Sequence, residues 1–188
     1  ILWIALFLGV LIFLLFMNMG LILNLFPIDN NITDISIKYL KAVAIGAFFI
    51  TIFTCLRCYS EGMTLAKPVF YIAFIGMLIN IPLDLMFVYG YYGAPKLGGV
   101  GCGIATSIVN FLMMIALIFY IACSKKYKKT EPFSKFSWPS HSTNREVFKL
   151  GFPIGLGISI ELSMFSGAAV ILGILGETVV ASHSIAIN

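Results

Sequence analysis

Apolar stretches long enough to cross a bilayer follow one another along this chain, and they decide what it can fold into. Five such stretches occur in order: Ile1–Phe26, Ile37–Leu56, Pro68–Tyr91, Gly99–Cys123 and Phe148–Leu175. A sixth begins near Val179. A helix needs about 20 apolar residues to span the hydrocarbon core, and each run meets that length. Only 11% of the residues are charged, and a soluble domain needs about 25% to cover its surface. The solvent of this chain is therefore lipid. In lipid the backbone must satisfy its own polar groups, and the fold expected is an all-α polytopic membrane protein.

Charge sets the orientation. Seven of the twelve Lys and Arg lie between Lys125 and Lys149, six of them in the segment "SKKYKKTEPFSKFSWPSHSTNRE". Basic loops stay on the cytoplasmic side, which assigns residues 124–147 to the cytoplasm as a linker. Alternation then places Arg57–Lys67 on that side, with Pro27–Ser36 and Tyr92–Gly98 outside. The linker divides the chain into residues 1–123, with four spans, and residues 148–188, with one span and the start of the next. The chain does not begin with Met and opens inside an apolar run, so it reads as an internal piece of a longer protein. The excess of four positive charges forms no nucleic-acid-binding face, because it is concentrated in that one linker.

Two polar features stand out inside the spans. In "IGMLINIPLDLMFVYG", Asn80 and Asp84 are four residues apart and share a helix face with Met77 and Phe87. Pro82 between them lacks an N–H, which frees the carbonyl of Leu78 and favours a kink. An amide, a carboxylate and a freed carbonyl on one stripe suit a wet cavity, or else a polar clasp between helices. In "LGFPIGLGISIELSMFSGAAVILGIL", Glu161 is the single charge halfway along a span, with Met164 and Phe165 one turn on. No Lys or Arg lies deep in a span to neutralise it. Such a carboxylate is protonated, holds a cation or faces water, and each of these suits an ion pathway. Pro153 is expected at the start of that helix, where a proline is tolerated. Gly99 and Gly103 at the head of the fourth span match the small-xxx-small pattern of close helix packing. The CxxC at Cys55–Cys58 lacks the further ligands a zinc site needs, and no nucleophile–base set or phosphate loop is present, so an enzyme is not expected.

"NIPLDLMFVYG", "LGGVGCGIATSIV", "LGFPIGLGISIE" and "VVASHSIAIN", in that order and spacing, resemble the multidrug and toxic compound extrusion (MATE) transporters, in particular the NorM-like bacterial branch. The resemblance runs from about Ile37 onward. It implies part of a twelve-helix, two-lobe fold, about helices three to eight, with residues 124–147 between the lobes. It implies a multi-pass protein of a bacterial plasma (inner) membrane, monomeric at full length. By the same resemblance its partners are membrane lipid and small-molecule drugs or toxins, not nucleic acid. The activity implied is antiport of amphipathic, often cationic compounds by alternating access, coupled to Na+ or H+, with no other cofactor. On that pattern Glu161 is the cation-coupling carboxylate. Asn80, Asp84, Met77, Phe87, Met164 and Phe165 line the substrate cavity, and Pro82 and Pro153 kink their helices. No metal is expected beyond a possible Na+ at Glu161. A lipid-linked precursor flippase is the alternative within the same superfamily, but it calls for cationic residues in the spans. A membrane-embedded enzyme is a more distant one.

The topology has a direct test. Single cysteines replacing Lys128 and Lys96, in a cysteine-free full-length background, should react with an impermeant maleimide from opposite sides. Labelling of both from outside would overturn the orientation.

Overall fold

The computed structural model describes residues 2–23, 30–93, 95–124, 126–127, 141–173 and 182, all helical or in short connections. Among them no strand occurs. The helices are α1 (Leu2–Met17), α2 (Met19–Leu23), α3 (Asn30–Gly62), α4 (Ala66–Tyr89), α5 (Gly99–Cys123) and α6 (His141–Gly173), with a short 3₁₀ turn at Tyr91–Gly93. The chain forms two compact units, residues 1–138 and 139–188. Among the described residues, four helical segments have the length and apolarity to cross a membrane: Thr33–Gly62, Ala66–Tyr89, Gly99–Cys123 and Arg145–Ala168. The molecule is a multi-pass helical membrane protein.

Several boundaries differ from the sequence expectation, each for a local reason. The first apolar run breaks at Asn18, whose side-chain amide donates to the Leu14 carbonyl at 2.8 Å. Asn competes with the helix ladder in this way wherever a turn can form. α3 starts at Asn30, inside the expected outer loop, and continues to Gly62. Its polar ends are held by i, i+4 ion pairs, Lys38–Asp34 at 2.8 Å and Arg57–Glu61 at 3.2 Å. α6 starts at His141, so residues 141–147 of the expected linker are helical. The start of a sixth span near Val179 lies outside the described residues.

In the first unit α5 is the central helix, packed against α3 on one side and α4 on the other, with α1 against the far side of α3. Lipid tails are as apolar as leucine, so helices here associate through close packing and interhelical hydrogen bonds, not through a hydrophobic drive. The start of α5 meets that need with buried small residues at every second position: Gly101, Gly103, Ala105 and Ser107. A step of two residues turns 200° on a helix, so alternate members point to opposite neighbours.

The expected pairing of Gly99 with Gly103 is corrected here. A Cβ on Gly99 would meet nothing within 4 Å, whereas one on Gly101 would run into the backbone carbonyl of Phe87 in α4. A Cβ on Gly103 would meet Val43 and Ala42 of α3 at 3.1 and 3.3 Å. Gly99 sits in the first turn, before the helices converge, and the close approach begins two residues later.

A hydrogen-bonded clasp joins α5 to α3. Ser107 Oγ donates to the Ala42 carbonyl at 2.7 Å and accepts the Gly46 N–H at 3.1 Å, inserting itself into one rung of the α3 ladder. Asn110 Nδ2 donates to the Gly46 carbonyl at 3.4 Å. Gly46 leaves the space, since a Cβ there would fall 2.5 Å from Ser107 Oγ.

The connections are economical. α3 turns into α4 through Met63–Leu65, with Thr64 at φ 60°. α4 ends at Gly90 in the left-handed conformation, where glycine carries no Cβ penalty. The Leu97 and Gly98 N–H groups then donate back to the Phe87 and Val88 carbonyls at 3.0 and 3.3 Å. At the other end of the unit, Tyr127 folds in after α5, 1% exposed, within a core of Phe53, Leu56, Val69, Leu117 and Ile121. Its ring centroid lies 6.0 Å from Tyr59 and 6.2 Å from Tyr120.

Gly101→Ala should lower the unfolding midpoint of the full-length protein in detergent, because overpacking against backbone costs about 1–3 kcal/mol. Gly99→Ala should leave it unchanged. Equal behaviour of the two variants would overturn the packing assignment.

Candidate functional site

The polar stripe of α4 is built on a helix that runs unbroken through Pro82. Of its members, Asn80, Asp84 and Phe87 are half-buried, while Met77 is 55% exposed. Asp84 faces α5. Its carboxyl lies near the Cys102 thiol of α5, with Thr106 one turn further along that helix. Asp84 Oδ1 is buried and makes no hydrogen bond with the described residues. The Phe87 carbonyl, three residues on, is the atom that Gly101 abuts. The carboxylate therefore sits beside the tightest backbone contact of the α4–α5 pair, and Cys102 follows Gly101 directly.

Asp84 lies at an interhelical seam, and Met77, on the same stripe, is exposed. Cys102 beside it, and Thr106 beside Cys102, were not singled out from the sequence, though their i, i+4 spacing at the head of α5 puts them on one face. An aspartate acting as a clasp has its oxygens satisfied, since a buried polar atom left without a partner costs about 1–3 kcal/mol. The bare Oδ1 fits a ligand-facing carboxylate better than a finished clasp.

The second unit is described by itself. α6 carries Glu161 with Gly157 four residues before it and Met164 and Phe165 three and four after, all on one helix face. Met164 is 71% exposed and Phe165 46%. Ser163 Oγ donates to the Ser159 carbonyl at 2.6 Å, satisfying its hydroxyl within the helix. Pro153 departs from expectation: it lies thirteen residues into α6 instead of at its start, because the polar residues from His141 onward extend the helix. An interior proline removes the donor to the Lys149 carbonyl, as Pro82 does to the Leu78 carbonyl in α4.

No group of three or more His, Cys, Asp or Glu occurs among the described residues in a metal-holding arrangement. Two apolar grooves flank α5, one of about 370 Å³ against α4 and one of about 340 Å³ against α3. Neither is lined by Asp84 or Asn80.

Comparison with known proteins adds an independent line. Residues 1–86 match the family model MatE, which takes in α1, α2 and α3 and the polar stripe of α4 as far as Asp84. The chain is 40% identical over 167 residues to the multidrug resistance protein NorM of Vibrio cholerae, covering 89% of this chain and 36% of that protein. It is 39% identical over 181 residues to the probable multidrug resistance protein NorM of Shewanella oneidensis, covering 96% and 39%. Against the NorM of Photobacterium profundum it is 37% identical over 184 residues, covering 98% and 40%. The chain thus spans well under half the length of these relatives.

Asp84→Leu separates the two roles of the carboxylate. A ligand-facing acid is held at a cost to stability, so the leucine variant of the full-length protein should unfold at the same temperature or higher in detergent. A drop of several degrees would identify Asp84 as a clasp.

Proposed function

Since the chain belongs to the MATE family, in its NorM-like branch, we propose that it forms part of a cation-coupled antiporter that exports amphipathic, often cationic compounds. The observation that carries the reading is Asp84: a carboxylate with a bare oxygen, held between two packed helices of a chain similar along its length to multidrug resistance proteins. In an apolar surrounding a carboxylate attracts a cation far more strongly than in water. Asp84 would thus draw cationic substrates toward the α4–α5 seam, with Asn80, Met77 and Phe87 forming the adjoining wall.

Glu161 takes the coupling role in this reading. A proton or a sodium ion would remove or balance its charge. Ion and substrate would favour different arrangements of the two lobes, so that binding of one promotes release of the other. Met164 and Phe165 offer a soft wall beside it, and methionine adapts to varied ligand shapes. The setting is a bacterial inner membrane, with residues 124–147 cytoplasmic.

Efflux of a dye from vesicles holding the full-length protein, under an imposed sodium or proton gradient, tests the scheme. Glu161→Gln should insert normally and lose gradient-driven efflux by tenfold or more. Asp84→Asn should slow export of cationic compounds several-fold more than of neutral ones. Wild-type rates for Glu161→Gln under both gradients would leave its carboxylate without a coupling role. Equal loss of both compound classes in Asp84→Asn would remove the charge-selection role.

A further inference from the structure

The α4–α5 groove lies on the opposite side of the helix pair from Asp84. Taking Gly76, which abuts Met113 of α5, as the contact direction, Ile72, Ile75 and Ile79 lie to one side of it on the helical wheel. Asn80 and Asp84 lie to the other. The groove is therefore not the seam of the polar stripe.

Its lining is wholly apolar: three isoleucines from α4 face Leu112, Ala116 and Phe119 of α5. It exists because two positions carry little side chain, Gly76 and Ala116. It also lies toward one end of the pair. α4 and α5 run antiparallel, so the start of α4 and the end of α5 share one membrane face, and the groove occupies the half of the spans nearest that face. The seven steps of α4 from Ile72 to Ile79 give it a length of about 10 Å along the helix.

That face carries fixed positive charge. Lys67, in the first turn of α4, is exposed and lies five residues before Ile72. Lys126, just past the end of α5, is also exposed, and it is held there by its neighbour. Tyr127 is buried in the core, and its N–H donates to the Ser124 carbonyl at 3.1 Å, closing the turn that presents Lys126. Tyr71, 62% exposed, adds a phenol at interface depth between Lys67 and the groove. No acidic residue lies among residues 63–72 or 115–127 to offset these lysines.

We propose that this groove binds one acyl chain of an anionic phospholipid in the leaflet at the basic end, with its phosphate between Lys67 and Lys126. An acyl chain needs a dry, narrow, aliphatic channel in one leaflet, and a headgroup needs cations at the mouth of that channel. Here the groove and the two lysines lie toward the same membrane face. Each lysine near the surface favours an anionic over a neutral headgroup by roughly fivefold. The inference does not depend on the transport reading, since it uses neither Asp84 nor Glu161.

The test is native mass spectrometry of the full-length protein released from nanodiscs of equal phosphatidylglycerol and phosphatidylcholine. Wild type, with two lysines, should retain phosphatidylglycerol over phosphatidylcholine by roughly 25-fold. Lys67→Gln with Lys126→Gln should bring retention close to parity without reducing total bound lipid. Ala116→Trp fills the groove from a position outside the helix contacts and should remove most of the retained lipid. Loss of selectivity in the lysine variant with normal retention in Ala116→Trp would mean headgroup attraction without a groove ligand, and would overturn the site. So would retained selectivity in the lysine variant. A nitroxide on a cysteine replacing Ile115 supplies a measurement free of folding artefacts in the tryptophan variant. It should be open to oxygen, which partitions into lipid, and closed to a water-soluble nickel chelate. Shielding from both would show that another segment of the full-length chain covers the groove, and would equally overturn the proposal.

Discussion

Backbone contact between α5 and its two neighbours is the constraint on which the rest of the first unit depends. In a membrane the helices gain nothing from burying leucine against leucine instead of against lipid. What holds them is how closely they approach, and approach is limited by the smallest side chains present. Gly101 against the Phe87 carbonyl, Gly46 against Ser107 and Gly76 against Met113 are three places where a single methyl would meet occupied space. Ser107 then uses the proximity that Gly46 allows, joining α3 through both ends of one backbone rung. The large aliphatic and aromatic side chains are left to face outward, as Phe7, Phe70, Phe74 and Phe119 do. This inverts the usual arrangement of a soluble domain, and it follows from the solvent.

The same packing gives the polar residues their meaning. A carboxylate within a span is costly, by a few kcal/mol on insertion scales. α4 keeps one at Asp84 and leaves an oxygen of it bare in a seam that could have been closed with a leucine. Contrast the acids at the helix ends: Asp34 and Glu61 each pair with a basic residue one turn away and stay exposed. Those pairs need no explanation beyond solvation. Asp84 does, and the reading proposed for it is that its missing partner arrives from outside the described chain.

Much of this was legible in the sequence. Length and apolarity located the spans, because the bilayer fixes how many residues a helix must supply, and α5 fell on Gly99–Cys123 as expected. The i, i+4 pairing of Arg57 with Glu61 was equally visible, being a local property of one helix. What could not be read were relations between helices. The GxGxAxS rhythm admits several pairs of small residues, and only the crossing point of α4 and α5 selects Gly101 over Gly99. Cys102 and Thr106 gain significance solely from Asp84 on another helix. Tyr127 was hidden for a different reason: four lysines surround it in the chain, and composition assigns the whole run to water. An aromatic ring among charges is nevertheless the one group there that gains by leaving solvent. Polar helix ends were underestimated as well, since α3 and α6 both extend beyond the hydrocarbon core, where propensity and capping decide the boundary and hydropathy does not.

The position of Asp84 bears on how a charge there could be felt elsewhere. Interfaces that pack without slack respond to a local change by shifting as a whole, because they cannot deform gradually. The carboxyl lies one turn from the Phe87 carbonyl and beside Cys102, the neighbour of Gly101, so it borders the contact in α4–α5 with the least spare room. On the reading proposed above, a cation reaching Asp84 gives its bare oxygen a partner, which changes what the seam favours. The transmitted quantity is limited to the difference in binding between the two packings. A loosely packed seam would absorb that difference in side-chain rotamers. One built on glycine against a backbone carbonyl has no rotamers to absorb it, and the displacement passes to α5 and, through Ser107 and Asn110, to α3.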